Sequence, residues 1–384
     1  MIKDIKISKT SNACNKETIS LSLKTSKNVY TASAPSGTSE GEYETKTFDL
    51  KKIFKNFPKI KKNFIGKDEK NIDKIIDSIE IEKIGANLSI VLSIAGLRAT
   101  SNNEIYKFLN PSARIFPFPL GNVIGGGAHH GYTSEQEFLV AATKAKTVKG
   151  AIKTNFSIWN EIGKYLKTRR ILIGNNYEGA WMCKLDDIQT LDILSNVAEQ
   201  YEAKIGIDFA ASEIYKRGNY FYSHPKRKLS PEEQLEFIID LVKTYRIFYI
   251  EDPFHEDDFK HFSELTKKVN SLIAGDDIFA TQPYRLKLGI RKKAGNAIII
   301  KPDQVGTISR ALETIRIAKK SGYATIVSHR SEDTTDDFIA DLAVGTEAPF
   351  IKCGIHGKER EIKLKRLVEI WNKTKNPSMC NTFK

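Results

Sequence analysis

From about residue 120 onward the chain repeats one pattern. A short apolar run stops on a charged or polar residue, and a stretch with helical spacing follows. AKIGID stops at Asp208, RIFYIE at Glu251, SLIAGD at Asp276, NAIIIK at Lys301, ATIVSH at His329 and PFIK at Lys352. Successive stops lie 43, 25, 25, 28 and 23 residues apart. A strand, a helix and two short loops take roughly 25–40 residues, so the pattern predicts an array of βα units. Such units close into a barrel whose functional groups stand at the C-terminal ends of the strands. The isoleucines of NAIIIK run straight into Lys301, whose ammonium is costly to bury unpaired, so Lys301 either marks where the strand reaches water or is placed there for chemistry.

The first third of the chain is patterned differently. Residues 1–50 alternate weakly, as in TISLSLKT, and predict strands of an antiparallel sheet. SAPSGTSEGEYE interrupts them with a Pro/Gly/Ser loop. Residues 68–109 predict helix, most buried along NLSIVLSIAGLRAT. NPSARIFPFPLGN, residues 110–122, holds three prolines, which forbid a continuing helix and predict a link between domains. The expected fold class is α/β: a smaller N-terminal α+β domain over residues 1–112 and a C-terminal β/α (TIM-like) barrel over 113–384.

Composition narrows the function classes. At 384 residues and 40% hydrophobic, the chain can bury a sizeable core. MIKDIKISKTSNAC lacks the apolar run of a signal peptide, and no stretch approaches the roughly 18–20 apolar residues of a membrane span. Cys14, Cys183, Cys353 and Cys380 are far apart with no CxxC, which speaks against a zinc site or disulfide scaffold and for a reducing, cytoplasmic setting. The net charge of +13 raises the question of a nucleic-acid partner. Its densest stretch, residues 51–74, reads as a solvated lysine face, because no nucleic-acid-binding motif accompanies it.

The strand ends carry the candidate chemistry. Asp208, Glu251 and Asp276 end three successive strands. Singly each reads as a cap or surface ion pair, but three converging carboxylates repel unless a cation sits among them. Oxygen ligands without His or Cys suit Mg2+. Lys301 and Lys352 then stand beside a divalent site. A neighbouring cation disfavours an ammonium and lowers a lysine pKa from its usual ~10.4 toward the range of a general base. The second lysine can stay charged and hold an anion; alone, Lys352 reads as a lysine reaching solvent. SHRS, residues 328–331, adds an imidazole, a guanidinium and hydroxyls, a good grip for phosphate or carboxylate. GNVIGGGAHHGYTSEQEFLV, residues 121–140, reads as a glycine-rich loop, without the GK[ST] of a P-loop or the spacing of a dinucleotide fingerprint. His129 and His130 are adjacent and would point apart, which disfavours a two-His metal site. Glu178, after the strand of ILIGNNYEGAW, reads alone as a loop carboxylate.

Together the motifs resemble the enolase (phosphopyruvate hydratase) family over nearly the whole chain. The matching stretches include APSGTSEGEYE, IGANLSIVLSIAGLRA, FPLGNVIGGGAHHG, EQEF, IGIDFAASE, YIEDPFHEDDF, AGDDIFATQP, IIKPDQVGT, IVSHRSEDTTDDFIADLAVG and IKCG. The resemblance implies an enolase-type barrel with an N-terminal capping domain. It implies a hydro-lyase that interconverts 2-phosphoglycerate and phosphoenolpyruvate in glycolysis and gluconeogenesis. Its substrate is then a small phosphorylated carboxylate. By resemblance, Asp208, Glu251 and Asp276 are ligands of a first Mg2+, and Ser39, in the SGTSEG lid, reaches a second that arrives with substrate. Lys301 is the base, Glu178 the general acid and Glu137 its partner. His329 and His129 line the substrate, Gln136 and Lys352 face its carboxylate, and Arg330 and Ser331 hold its phosphate.

The chain also departs from the family pattern. SKTSNACNKET replaces DSRGNPT, in a region that contributes to the family's dimer contact, so the resemblance does not carry a homo-oligomer to this chain. NNYEGA replaces GDEGG around Glu178, and CGIHGKER after Lys352 lacks the usual proline and arginine. Two other readings stay open in the sequence: a related barrel enzyme acting on a different carboxylate, and a non-catalytic basic binding protein.

Overall fold

The structure is a computed structural model and describes residues 1–37, 41–127 and 132–381. At the N-terminus, strands Ile2–Ser11, Glu17–Thr25 and Val29–Ser33 form an antiparallel sheet. Alternation selects its inner face: Ile5, Ile19, Leu21 and Leu23 are all buried. Against this sheet lies the helix Ala86–Ser101, apolar almost all round and buried along most of its length. It is wedged between sheet and barrel, and its few polar groups serve both sides. Ser89 Oγ donates to the Gly306 carbonyl at 2.7 Å, and Ser93 Oγ accepts from Ile308 N at 2.9 Å. The helix ends at Asn102 in the left-handed region, a residue type that tolerates it.

Among the described residues, eight strands close the barrel: Phe118–Gly125, Glu137–Ala141, Lys204–Asp208, Tyr249–Glu251, Leu272–Gly275, Ala297–Ile300, Ala324–Ser328 and Phe350–Lys352. Closure comes from the last strand pairing with the first, Phe350 opposite Phe118 and Lys352 opposite Leu120. Long helices cover the outside, several started by side-chain caps written in the sequence. Ser230 and Glu233 form a capping box at Pro231–Tyr245, and Asp186 and Gln189 form another at Asp187–Gln200.

Three sequence expectations need correction. The array is not uniformly parallel: Glu137–Ala141 runs antiparallel to both neighbours. The glycine-rich stretch is not a loop from residue 121, because Gly121–Gly125 belongs to the first barrel strand. Those glycines answer packing rather than a phosphate: a Cβ on Gly121 would lie 2.4 Å from Ile355 Cγ1, and one on Gly125 would lie 2.2 Å from Asn176 Nδ2. The proline-rich stretch is only partly a connection, since the first barrel strand begins inside it at Phe118.

Candidate active site

Register brings the strand ends level. Glu251 lies opposite Asp208, Glu137 opposite Asp208, and Ser328 opposite Lys352. Asp276, Lys301 and His329 each follow the last residue of their strands. Glu137 reaches the same mouth from the first position of its strand, because that strand runs the other way. One cavity is lined by Gln136, Glu137, Glu178, Asp208, Asp276, Lys301, His329, Arg330, Ser331 and Lys352. Glu251 is buried beneath it. Ser39 and His129 lie outside the described residues.

Lys352 sits among the carboxylates. Its Nζ is 2.8 Å from Glu251 Oε2, 2.9 Å from Asp208 Oδ2 and 3.3 Å from Glu137 Oε2. Gln136 Nε2 donates to the same Asp208 oxygen at 3.4 Å. Lys301 Nζ donates to Asp276 Oδ2. Burial opposes the charge on both lysines, but the carboxylates outweigh it and hold both ammoniums above the ordinary lysine range. A neighbouring cation, as expected from the sequence, would lower Lys301; the Asp276 carboxylate facing it acts in the opposite sense. Burial also works against Asp276, yet Lys301 more than offsets it and its carboxyl titrates below the usual range.

Glu178 is not a free loop carboxylate. Strands Leu172–Asn175 and Trp181–Cys183 form a hairpin beside the first barrel strand, and Glu178 sits in its turn, buried. Asn176 Oδ1 builds that turn by accepting from the backbone N–H of Glu178 and of Ala180, both at 3.0 Å. Gly179 has a φ of +76°, and a Cβ there would lie 2.0 Å from the His356 carbonyl oxygen. Asn122 Nδ2 donates to Glu178 Oε2 at 3.0 Å, and His329 Nε2 lies 3.7 Å from Oε1. Burial, then the neighbouring Glu178, raises the Glu137 carboxyl well above the usual range. Burial, reinforced by Arg360, holds the His329 imidazole well below its ordinary pKa and so neutral.

Arg330 is already engaged inside the protein. Its Nη1 and Nη2 donate to Glu44 at 3.0 and 3.2 Å, and Nη1 donates to Asp303 Oδ2 at 2.5 Å. Ser331 shares this loop, whose backbone is tied down by Arg360. The Arg360 guanidinium donates to the carbonyls of Arg330 at 2.9 Å and Ser331 at 2.7 Å. Sequence reasoning missed Arg360, Glu44 and Asp303. Each stood inside a quoted stretch, Glu44 in APSGTSEGEYE, Asp303 in IIKPDQVGT and Arg360 in CGIHGKER, but none ends an apolar run.

The donor set fits a hard cation. Glu251 Oε1 is buried and finds no hydrogen-bond partner among the described residues. Burial, then the nearby Asp208 carboxylate, pushes Glu251 up to about 8, so it lacks a counter-charge adequate to its burial. All the oxygens are carboxylate, the chemistry Mg2+ selects. A further acidic group, missed in the sequence, adjoins it: Asp252, Asp276 and Asp277 bring ligand oxygens within 4.8 Å of one another. Asp252 is occupied, however, by the backbone N–H of Asp276 at 3.0 Å and Asp277 at 2.7 Å. It shapes the turn that aims Asp276.

A family model described as the enolase C-terminal TIM barrel domain matches residues 113–380. A protein of Natronomonas pharaonis named Enolase is 36% identical over 394 residues, covering 96% of this chain and 98% of that protein. One of Archaeoglobus fulgidus with the same name is 36% identical over 397 residues, covering 99% of each. One of Picrophilus torridus, also named Enolase, is 38% identical over 367 residues, covering 88% of this chain and 90% of that protein. Among the described residues no helix is long and apolar enough to cross a membrane.

Proposed function

The chain belongs to the enolase family, and from that premise we propose that it reversibly removes water from 2-phosphoglycerate to give phosphoenolpyruvate, with Lys301 as base and Glu178 as acid. The observation that carries the assignment of roles is a single cavity lined by both groups, from elements that are not neighbours in the sheet. A base and an acid that approach one substrate from different walls suit the loss of a proton from one carbon and of hydroxide from the next.

Arg330 and Ser331 hold the phosphate, with Arg360 fixing their loop from behind. Lys352 and Gln136 face the carboxylate, and His329 lines the remaining wall; His129, outside the described residues, is assigned to the substrate on the family resemblance alone. Lys301, once its tie to Asp276 is released, takes the proton from the carbon next to the carboxylate. That carbon is a weak acid, because the electron pair left behind adds charge to a group already anionic. The Lys352 ammonium opposes this growing charge. Glu178, held by Asn122, gives its proton to the departing hydroxyl, which leaves as water. Glu137, its own carboxyl favoured in the protonated form, stands beside Glu178 in the proton path. Asp208, Glu251 and Asp276 would hold Mg2+, with Ser39 on a second ion that arrives with substrate; when bound, Mg2+ supplies positive charge at the substrate carboxylate.

We assign residues 1–112 to the capping domain and 113–384 to the barrel. Cys14, Cys183, Cys353 and Cys380 form no disulfide among the described residues, which supports a reducing cytosol as the place of action. The test is direct: 2-phosphoglycerate is mixed with the protein, in Mg2+ and then in chelator, and the ultraviolet absorbance of the enol product is followed. A Mg2+-dependent rise is expected. A flat trace from folded protein would overturn the reading.

A further inference from the structure

The contact between Arg330 and Asp303 has no place in the mechanism above. Glu44 meets the Arg330 guanidinium with both its oxygens, a bidentate pair that by itself supplies a buried guanidinium with its counter-charge. Glu44 has other duties. Its Oε1 accepts from Gly41 N at 3.2 Å and from Gln304 Nε2 at 3.3 Å, which ties the segment after residue 40 to the barrel. Asp303 brings a second carboxylate to the same guanidinium, on Nη1. It stands two residues after Lys301, in the short helix Pro302–Val305. Its side chain therefore adds charge to Arg330 at a place the backbone already fixes.

We propose that Asp303 sets the affinity of the site for the substrate's phosphate by competing with it for Arg330. With Glu44 and Asp303 both ionised, the three groups carry a net negative charge. An incoming phosphate then meets one more negative charge than Arg330 and Glu44 alone would present. Repulsion of this kind acts on every phosphate-bearing ligand, before and after the reaction. It therefore governs binding and release rather than the bond-breaking step.

This inference rests on the role given to Arg330 under the proposed function, and its test is chosen to separate the two. Asp303→Asn keeps the shape and an oxygen for Nη1 while removing the charge. Inorganic phosphate, titrated calorimetrically, should bind this variant about three- to tenfold more tightly than the natural protein, the scale of one unit charge in a partly screened site. The KM for 2-phosphoglycerate should fall by the same factor while kcat moves by less than about twofold. Asp303→Ser should shift both in the same direction, and Arg330→Gln placed on Asp303→Asn should erase the gain. Equal or weaker phosphate binding by a folded Asp303→Asn protein would overturn the proposal, and weaker binding would make Asp303 a prop for Arg330. Phosphate titration needs no turnover, so a protein that binds phosphate but leaves 2-phosphoglycerate unchanged would fail the reaction and not this inference.

Discussion

A lysine surrounded by three carboxylates decides much about this site at the residue scale. Lys352 is almost wholly buried, and so are Glu137, Asp208 and Glu251 around it. Removing the ammonium leaves three carboxyl groups facing one another without compensation. Breaking a buried ion pair from one side typically costs about 3–5 kcal/mol. Lys352→Met should therefore lower the unfolding free energy by about that much in chelator, measured by urea denaturation. Added Mg2+ should recover a large part of the loss, because a cation among these oxygens answers the same charge. A variant equally stable to the natural protein in chelator would show that the carboxyls do not depend on Lys352.

At the scale of elements, the βα strands and the N-terminal antiparallel sheet were legible, and the antiparallel strands beside the barrel mouth were not. Asp208, Glu251, Asp276, Lys301, His329 and Lys352 could be read from the sequence because each apolar run stops where its strand meets the mouth. Glu137 gave no such signal: its strand begins rather than ends at the mouth, and periodicity within a strand is the same in both directions. Glu178 was hidden for a related reason. Asn176 and Gly179 help fold its turn inward, through hydrogen bonds and a close approach that spacing along the chain does not reveal. The packing role of Gly121 and Gly125 was equally invisible, since their neighbours Ile355 and Asn176 are distant in sequence. Gly179→Ala tests the hairpin. A methyl group there meets the His356 carbonyl and must take a positive φ. The turn should shift and carry Glu178 with it, lowering kcat by about tenfold or more, while the barrel keeps a cooperative thermal transition. Unchanged kcat would separate Glu178 from the turn that presents it.

The whole molecule joins these parts through charge. The N-terminal strands and helices are fastened to the barrel by Arg98 on Asp336 and Asp337, each at 2.8 Å, and by Asn12 Nδ2 on Glu332 at 3.2 Å. The barrel mouth collects buried carboxyls that are costly when ionised. Burial raises Glu251 to about 8 from 4.5. A raised carboxyl contributes its stability below the unfolded pKa and loses it as pH rises through the folded one, here from about 4.5 to about 8. Mg2+ acts in the opposite sense, because it binds the ionised form and must displace a proton at lower pH. The rise in melting temperature on adding Mg2+ should therefore be larger at pH 8.5 than at pH 6, measured by calorimetry in matched buffers. A shift independent of pH would mean that the ion binds without these carboxyls.

One nuclear magnetic resonance measurement reaches the central claim, that Lys301 removes the proton and Glu178 serves the departing hydroxyl. 2-Phosphoglycerate is incubated in deuterated water with Mg2+ and the natural protein, with Lys301→Ala, and with Glu178→Gln, following both deuterium uptake beside the carboxylate and loss of water. The natural protein should do both, and Lys301→Ala neither, with a loss of about 10²–10⁴-fold. Glu178→Gln should exchange the proton while failing to release water. Exchange surviving in Lys301→Ala would contradict the account, because the proton would then leave to another base.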